Sequence, residues 1–495
     1  MRRCKFLVSL VLLAFIEMSY GQYAGYFSKS GRMLLEQSHL GNVNFHSAFA
    51  TVANDSDTIT RHIRLIPLIN ANFGISTHQN AIYNFFPGLF AFYPIGHKIT
   101  LWLVAAVNIE KYPYLISSQI DSNRVLPEGG SARVLYNSTY FRLLFVGELS
   151  YRPIKYCSLD AGYGKKQWGD GYRSLWLSDY STYYPYLQLR VHFWKIQYHI
   201  LWSYLKDINT GATAGRFLDK YGVFHFFDFN ATPRLSFGFF ESVIWWGRDA
   251  NTQRGFELSY LNPIVFFRPV EYSLHSPDNA NLGFHASILL GKATRLYQQL
   301  FVDDMSVNKM IEKPQWWGNK YGILAGIKTF QLFGIANLFC QAEYARVRPF
   351  TYSHSSSALN YGAEYQPLGH PLGANFEEIL FVLRLRRGPW SFMVKTSLAA
   401  QGRDSLPTQN VGQNIYRSYL TRQTIHDEAR FLQGELHRLY FGELRMYRSL
   451  SKRIPLYGFV GIQYFHDRAP YASIAETIIR VGVTANFFND ERDYR

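Results

Sequence analysis

The chain has 495 residues, 17% of them aromatic, with 36 Tyr and 39 Phe against only 3 Cys. Its formal net charge of +15 has no localised Lys/Arg stripe, which argues against nucleic acid and suits acidic polysaccharide or lipopolysaccharide phosphates. Beyond the first residues the most apolar run is only Leu101 to Val107, preceded by His97 and Lys98, so a helical membrane protein is excluded.

The chain opens on a processing signal. Arg2, Arg3 and Lys5 form a positive n-region, Phe6 to Ile16 an apolar h-region, and Ser19-Tyr20-Gly21 a small-residue site ahead of Gln22. The apolar run falls short of the roughly 20 residues a spanning helix needs. Residues 1–21 are therefore read as a signal peptide, and Cys4, ahead of the h-region, is no lipidation site. Cys157 alternates with Leu159 and Ala161, and Cys340 with Leu338 and Ala342. Both are read as isolated small apolar side chains rather than a disulfide. There is no CxxC and no metal spacing, so no cofactor is expected.

Residues 22–60 differ from the rest and are placed on the periplasmic side, before the barrel, with a short helix over Ser30 to Gln37 and a turn at Asn54 to Asp57. Then a device repeats: two alternating segments joined by a tight turn, with the apolar parity switching across it. Leu187, Leu189, Val191 and Phe193 are odd-numbered; after Trp194-Lys195 the apolar set becomes Ile196, Tyr198, Ile200 and Trp202. Residues of one parity share a strand face, so the switch keeps one face on lipid through a hairpin. Ile379, Phe381, Leu383 and Leu385 switch likewise to Trp390, Phe392 and Val394 across Arg387-Gly388-Pro389. Arg384, Arg386, Lys395 and Arg480 fall on the opposite faces and point to a wet lumen.

The spacing predicts strands over 63–75, 83–93, 99–109, 139–151, 154–163, 187–193, 196–205, 221–229 and 234–245. It predicts others over 282–290, 295–302, 321–330, 335–345, 379–386, 390–398, 437–448, 454–465 and 476–488. Putting tight turns at the periplasmic end and long segments outside gives an all-β transmembrane antiparallel barrel of about 18 strands (16–18), over residues 61–488, with a tail at 489–495. Aromatic girdles account for the composition, and long outer loops partly plug the lumen. Phe256 to Phe267 is strand-like but is assigned to the outer excursion 246–281, which reads as a lumen plug or cap.

Two long segments hold the distinctive chemistry. In 162–186, Gly164, Gly169 and Gly171 permit sharp turns, Trp168, Tyr172, Trp176 and Tyr180 offer flat faces, and Asp170, Arg173 and Asp179 supply charged partners. The second runs from Tyr260 through Asn262, Arg268 and Glu271 to Asp278 and Asn279. Arg268 with Glu271, or Arg173 with Asp278, are candidate pairs that pin these segments. A barrel-mouth site would stack sugar on the aromatic faces; the plainer alternatives are an outer aromatic girdle and structural ion pairs. Chance His pairings such as His354-Ser355 and His426-Asp427 have no motif around them, so no catalytic residue is assigned.

The sequences GDGYRSLWLSD and YYPYLQLR within 169–190, YLNPIVFFRPVEYS with SPDNANLG at 260–283, and WWGNKYG at 316–322 resemble the Wzi-like capsule-assembly family of outer-membrane barrels. The nearer match is its branch in gliding bacteria, which includes RemB-type proteins. The resemblance covers roughly 160–325 well and the remainder by barrel character alone. It implies an 18-stranded barrel that binds surface polysaccharide and retains or organises capsule, or serves surface motility. The expected protein is a non-enzymatic, monomeric outer-membrane barrel whose partners are lipid, lipopolysaccharide and surface polysaccharide. A component of gliding motility or secretion machinery and an anion-preferring porin are the alternatives.

Overall fold

The computed structural model describes residues 28–49, 51–52, 63–130, 132–207, 218–247, 255–263, 278–304, 306–423, 427–451, 456–485 and 493. Nine wall strands lead in chain order: β1 (Arg64–Ser76), β2 (Ile82–Ile95), β3 (Ile99–Lys111), β4 (Thr139–Ile154), β5 (Cys157–Gly164), β6 (Tyr184–Phe193), β7 (Ile196–Asp207), β8 (Leu218–Thr232) and β9 (Leu235–Trp246). The rest are β10 (Asn279–Leu290), β11 (Thr294–Asp304), β12 (Lys320–Thr329), β13 (Leu338–Val347), β14 (Phe376–Arg387), β15 (Trp390–Arg403), β16 (Glu435–Ser449), β17 (Tyr457–Arg468) and β18 (Ser473–Thr484). Each pairs antiparallel with its sequence neighbours, and β18 returns to β1, with Ile478 opposite Ser76 and Thr484 opposite Asn70. Closure leaves no edge, as a sheet in lipid requires. Each of the expected strands overlaps one of these 18.

The parity switch is realised as two-residue turns. Phe193 lies opposite Ile196 across Trp194-Lys195, and Arg387 opposite Trp390 across Gly388-Pro389. Gly388 sits at φ +59, which a following proline and the strand twist favour at the first central position of the turn. These turns gather at one end with the start of β1 and the end of β18; the long connections gather at the other. The outward parity carries exposed Phe73, Phe145, Leu444, Ile462 and Val481. Cys157 and Cys340 are free, on that same parity.

The lumen departs from the expectation of a wet interior. A single apolar cluster inside it joins Trp168, Trp176 and Leu177 of the 165–183 connection to Phe224, Phe226, Phe240 and Phe301 of the wall, and to Tyr352, Leu359 and Tyr361 of the 348–375 connection. The two connections interlock: the Tyr352 hydroxyl donates to Leu175 O (2.7 Å) and the Tyr361 hydroxyl to Trp176 O (3.1 Å). Many inward polar groups of the wall are bonded by the chain itself, as Lys328 is by Asp170 and Glu378 by Arg173.

Two further expectations are corrected. Helix α1 (Lys29–Ser38), capped by the Ser28 hydroxyl, is found as expected but lies inside the turn end of the barrel rather than before it. Its Glu36 bonds Arg295 of β11 (2.9 Å) and Lys328 of β12 (2.7 Å), charges that only the lumen offers. The excursion after β9 does not plug the lumen where it is described. Residues 255–263 lie on the outward side, with Tyr260 buried against Trp202 and Trp245 and its carbonyl accepting from Trp202 Nε1 (2.9 Å). This segment covers the outward face of β7 and β9, so Ile200, Trp202 and Trp245 are buried although they face away from the lumen.

Ile462, outward and near the middle of β17, tests the orientation of the wall. Ile462→Arg is expected to cost about 2–4 kcal/mol at the membrane midplane and to reduce the heat-modifiable folded band. Arg at the neighbouring inward position Gln463 should not show this lipid-depth penalty.

Candidate functional site in the barrel lumen

The 165–183 connection leaves β5 at the loop end and descends into the barrel. Gly169 makes the descent possible: it sits at φ +118, and a Cβ there would lie 1.8 Å from Gln299 Nε2 on the wall. Its N–H donates to Ala48 O (2.8 Å), tying the connection to the N-terminal segment. Trp168 follows the same wall, with its ring edge-on to Phe49 and beside Phe226, and its carbonyl accepting from Ser174 Oγ (2.6 Å) and Gln299 Nε2 (3.1 Å).

Asp170 and Arg173 anchor two charge clusters. Asp170 accepts from His285 Nε2 (2.7 Å), Lys328 Nζ (3.0 Å) and Ser47 Oγ (3.1 Å). Burial pushes its carboxyl up, but Lys328, His285 and Arg295 outweigh burial and hold it well below the usual carboxylate range. Arg173 has no exposed side-chain surface; it donates two bonds to Glu378 of β14 (2.9 and 3.1 Å) and pairs with Asp493 (2.8 Å). Glu378 also accepts from Ser397 Oγ (2.5 Å) and lies 3.0 Å from His370 Nε2. The Tyr172 and Arg173 N–H groups both donate to Glu343 of β13, at 2.9 and 3.0 Å. The geometry is bidentate and saturated, as a buried ion pair needs.

Helix α1 closes the cluster from below. Lys29 Nζ bonds Asp179 (2.8 Å), Gln167 Oε1 (2.8 Å) and Tyr172 O. Burial pulls its ammonium down to about 8 despite Asp179. Arg32 donates to the carbonyls of Ala48 (3.0 Å), Ser47 (3.2 Å) and Gly169. Beside these residues a cavity lined by Lys29, Lys166, Gln167, Glu148 and Arg190 remains, where Lys166 pairs with Glu148 (2.8 Å) and Arg190 with Asp160 (2.5 Å).

The sequence candidates thus separate. Trp168, Asp170, Tyr172, Arg173 and Asp179 form one body in the lumen, and Asn279 joins it at the loop end by donating to Leu359 O (2.7 Å). Trp168 and Tyr172 are only 2% and 3% exposed, so as arranged they pack rather than present open faces to a sugar. Asn262 is exposed on the outward segment, and Asp278 accepts from the Tyr260 hydroxyl (2.7 Å). Arg173 pairs with Glu378 and Asp493, not with Asp278. Arg268 and Glu271 lie outside the described residues, as does His426. Ser355 Oγ is 3.4 Å from His354 Nδ1, and burial pulls that imidazole down to about 4.

Sequence reasoning missed Lys29, Arg32, Glu36, Glu343, Glu378 and Asp493. The inward parity of Glu343 and Glu378 marks them as lumenal charges, but their partner is 170 and 205 residues away and leaves no local trace.

No protein-family model matches the chain, and no curated protein matches it in sequence. Among solved structures it is similar to Wzi of Escherichia coli, described as an outer membrane protein involved in group 1 capsule assembly and a carbohydrate-binding β-barrel. That match has 14% identity and a TM-score of 0.52 and covers 84% of each chain. It is also similar to two Pseudomonas aeruginosa barrels. OprD has 11% identity and a TM-score of 0.44, over 87% of this chain and 96% of that one; OpdK has 8% and 0.46, over 86% and 98%. The likeness is one of fold.

Two outcomes test the clusters. Arg173→Ala leaves Glu378 and Asp493 buried without their guanidinium and is expected to cost about 3–5 kcal/mol, read as a lowered thermal midpoint and faster proteolysis of the 165–183 connection. Lys29 gives a pH signature. Folded, it releases its proton near 8, whereas the unfolded chain holds it to 10.5. The unfolded state binds more protons across that window, so stability rises with pH there. The wild-type midpoint should climb relative to that of Lys29→Met from pH 8 to 10.5; parallel curves would rule out the buried ammonium.

Proposed function

We propose that this protein is an integral outer-membrane barrel that binds or anchors surface polysaccharide during capsule or exopolysaccharide assembly, without catalysis. The tight turns then face the periplasm and the long connections the exterior. The observation that carries this reading is the filled lumen: α1, the 165–183 connection and the 348–375 connection occupy it through interlocked charge clusters and a shared apolar core. A barrel so filled is suited to holding a surface in place rather than to passing solute. The fold likeness to a carbohydrate-binding barrel supports the ligand class, and the net charge of +15 favours an acidic one. The partners are outer-membrane lipid, lipopolysaccharide and the polysaccharide itself, engaged by a monomer.

A role in gliding motility or secretion machinery is the second reading, because the resemblance carried by the motifs at 169–190 and 260–283 spans both capsule assembly and gliding. The anion-preferring porin is disfavoured, because the lumenal Arg384 reaches the Ser30 hydroxyl of α1 (2.9 Å) and Lys395 pairs with Glu443 (3.4 Å) and Asp493 (3.5 Å).

In planar bilayers the wild-type protein is expected to give no large steady single-channel current; such currents would sink the filled-lumen reading. A deletion strain is expected to shed surface polysaccharide into the medium. Full retention of polysaccharide together with lost surface motility would instead favour the machine.

A further inference from the structure

At the loop end, the connection before β12 and the one before β16 are built into one ledge. Gln315 to Trp317 run antiparallel to Asp427 to Ala429, with Trp317 N–H donating to Asp427 O (3.0 Å) and Ala429 N–H to Gln315 O (2.7 Å). Buried Arg348 holds both sides from beneath, donating to the carbonyls of Asn319 (2.7 Å), Ala429 (3.2 Å) and Trp316 (3.4 Å). This is a rigid support, not a slack loop.

The ledge carries three half-buried rings. Trp316 and Trp317 have centroids 5.8 Å apart, and Trp317 and Tyr419 5.0 Å. Each indole has a cation on it: Lys309 Nζ lies 4.0 Å from the Trp316 ring, and the Arg422 guanidinium carbon 3.9 Å from that of Trp317. Neither cation is closely matched. Among the described residues Lys309 enters no ion pair, and the ion pair of Arg422 is with Asp427, 69% exposed, at 3.7 Å. Aromatic rings beside under-neutralised cations suit a ligand with an apolar C–H face and a carboxylate on one small unit.

We infer that the ledge of Trp316, Trp317 and Tyr419, with Lys309 and Arg422, is a binding site for a uronic-acid-bearing glycan. This rests on the polysaccharide reading above and gives it an address and a sugar class. The pyranose C–H face packs on the indoles, and its carboxylate takes the place of Asp427 on Arg422 while Lys309 contributes the second positive charge.

The test uses the full-length protein in detergent and the purified surface polysaccharide of the producing strain, native and with its carboxyls reduced to alcohols. Native polysaccharide is expected to bind the wild type, and Trp316→Ala with Trp317→Ala to weaken binding by about tenfold or more. Lys309→Gln with Arg422→Gln, which leaves the rings and Arg348 in place, should bind the native polymer as weakly as the wild type binds the reduced one. Unchanged heat-modifiable migration certifies that each variant is folded. Native binding that survives both double substitutions overturns the ledge and leaves the polysaccharide reading standing. Equal binding of native and reduced polymer overturns the acidic-sugar assignment. If the wild type binds neither, both inferences fall together.

Discussion

A guanidinium held between two carboxylates inside a membrane barrel is an expensive arrangement. Burying each ion costs several kcal/mol even after relaxation, and the attraction offsets this only when every donor and acceptor is used. Arg173 meets that condition with Glu378 from the wall and Asp493 from the last residues of the chain. The residues around it are fixed by the same demand. The 165–183 connection must descend far enough to deliver Arg173, Gly169 must take a conformation closed to other residues, and Glu343 must accept the two backbone N–H groups at the bend. Asp170, Glu36, Arg295 and Lys328 repeat the logic nearer the turn end.

Charge alone would leave a network of struts with voids between them. The apolar residues of the same connection fill those voids: Trp176 stacks on Phe240 at 4.9 Å, and Leu175 and Leu177 are enclosed. The barrel therefore has two solvents, lipid outside and its own chain inside. A wall built in this way supports surfaces at its loop end, where Gln315 to Trp317 and Asp427 to Ala429 meet over Arg348.

The wall was legible in the sequence because its rule is local. Parity within eight or ten residues and a turn such as Gly388-Pro389 are enough to place a strand and its lipid face. The interior was not, because its contacts pair residues remote in sequence: Lys29 with Asp179, His46 with Asp228, Arg173 with Asp493. The richness of 162–186 in Gly and aromatics correctly marked it as ordered and special, but the same composition serves a packed plug or an open sugar platform. Only the surroundings of Trp168 and Tyr172 decide between them, and those come from strands on the far side of the barrel. The WWGNKYG motif gave the opposite case: its two Trp are the ones left half-exposed.

The position of Asp493 has a consequence for biogenesis. The carboxylate that completes the Arg173 pair follows β18, the strand whose pairing with β1 closes the cylinder. Glu36 and Lys29 precede β1, so one end of the filling is synthesised before any wall exists and the other after all of it. The interior thus cannot reach its final charge balance until the chain has been made through Asp493. Loss of the Asp493 carboxylate would leave a closed wall around a guanidinium held by Glu378 alone, a destabilised filling inside an intact cylinder.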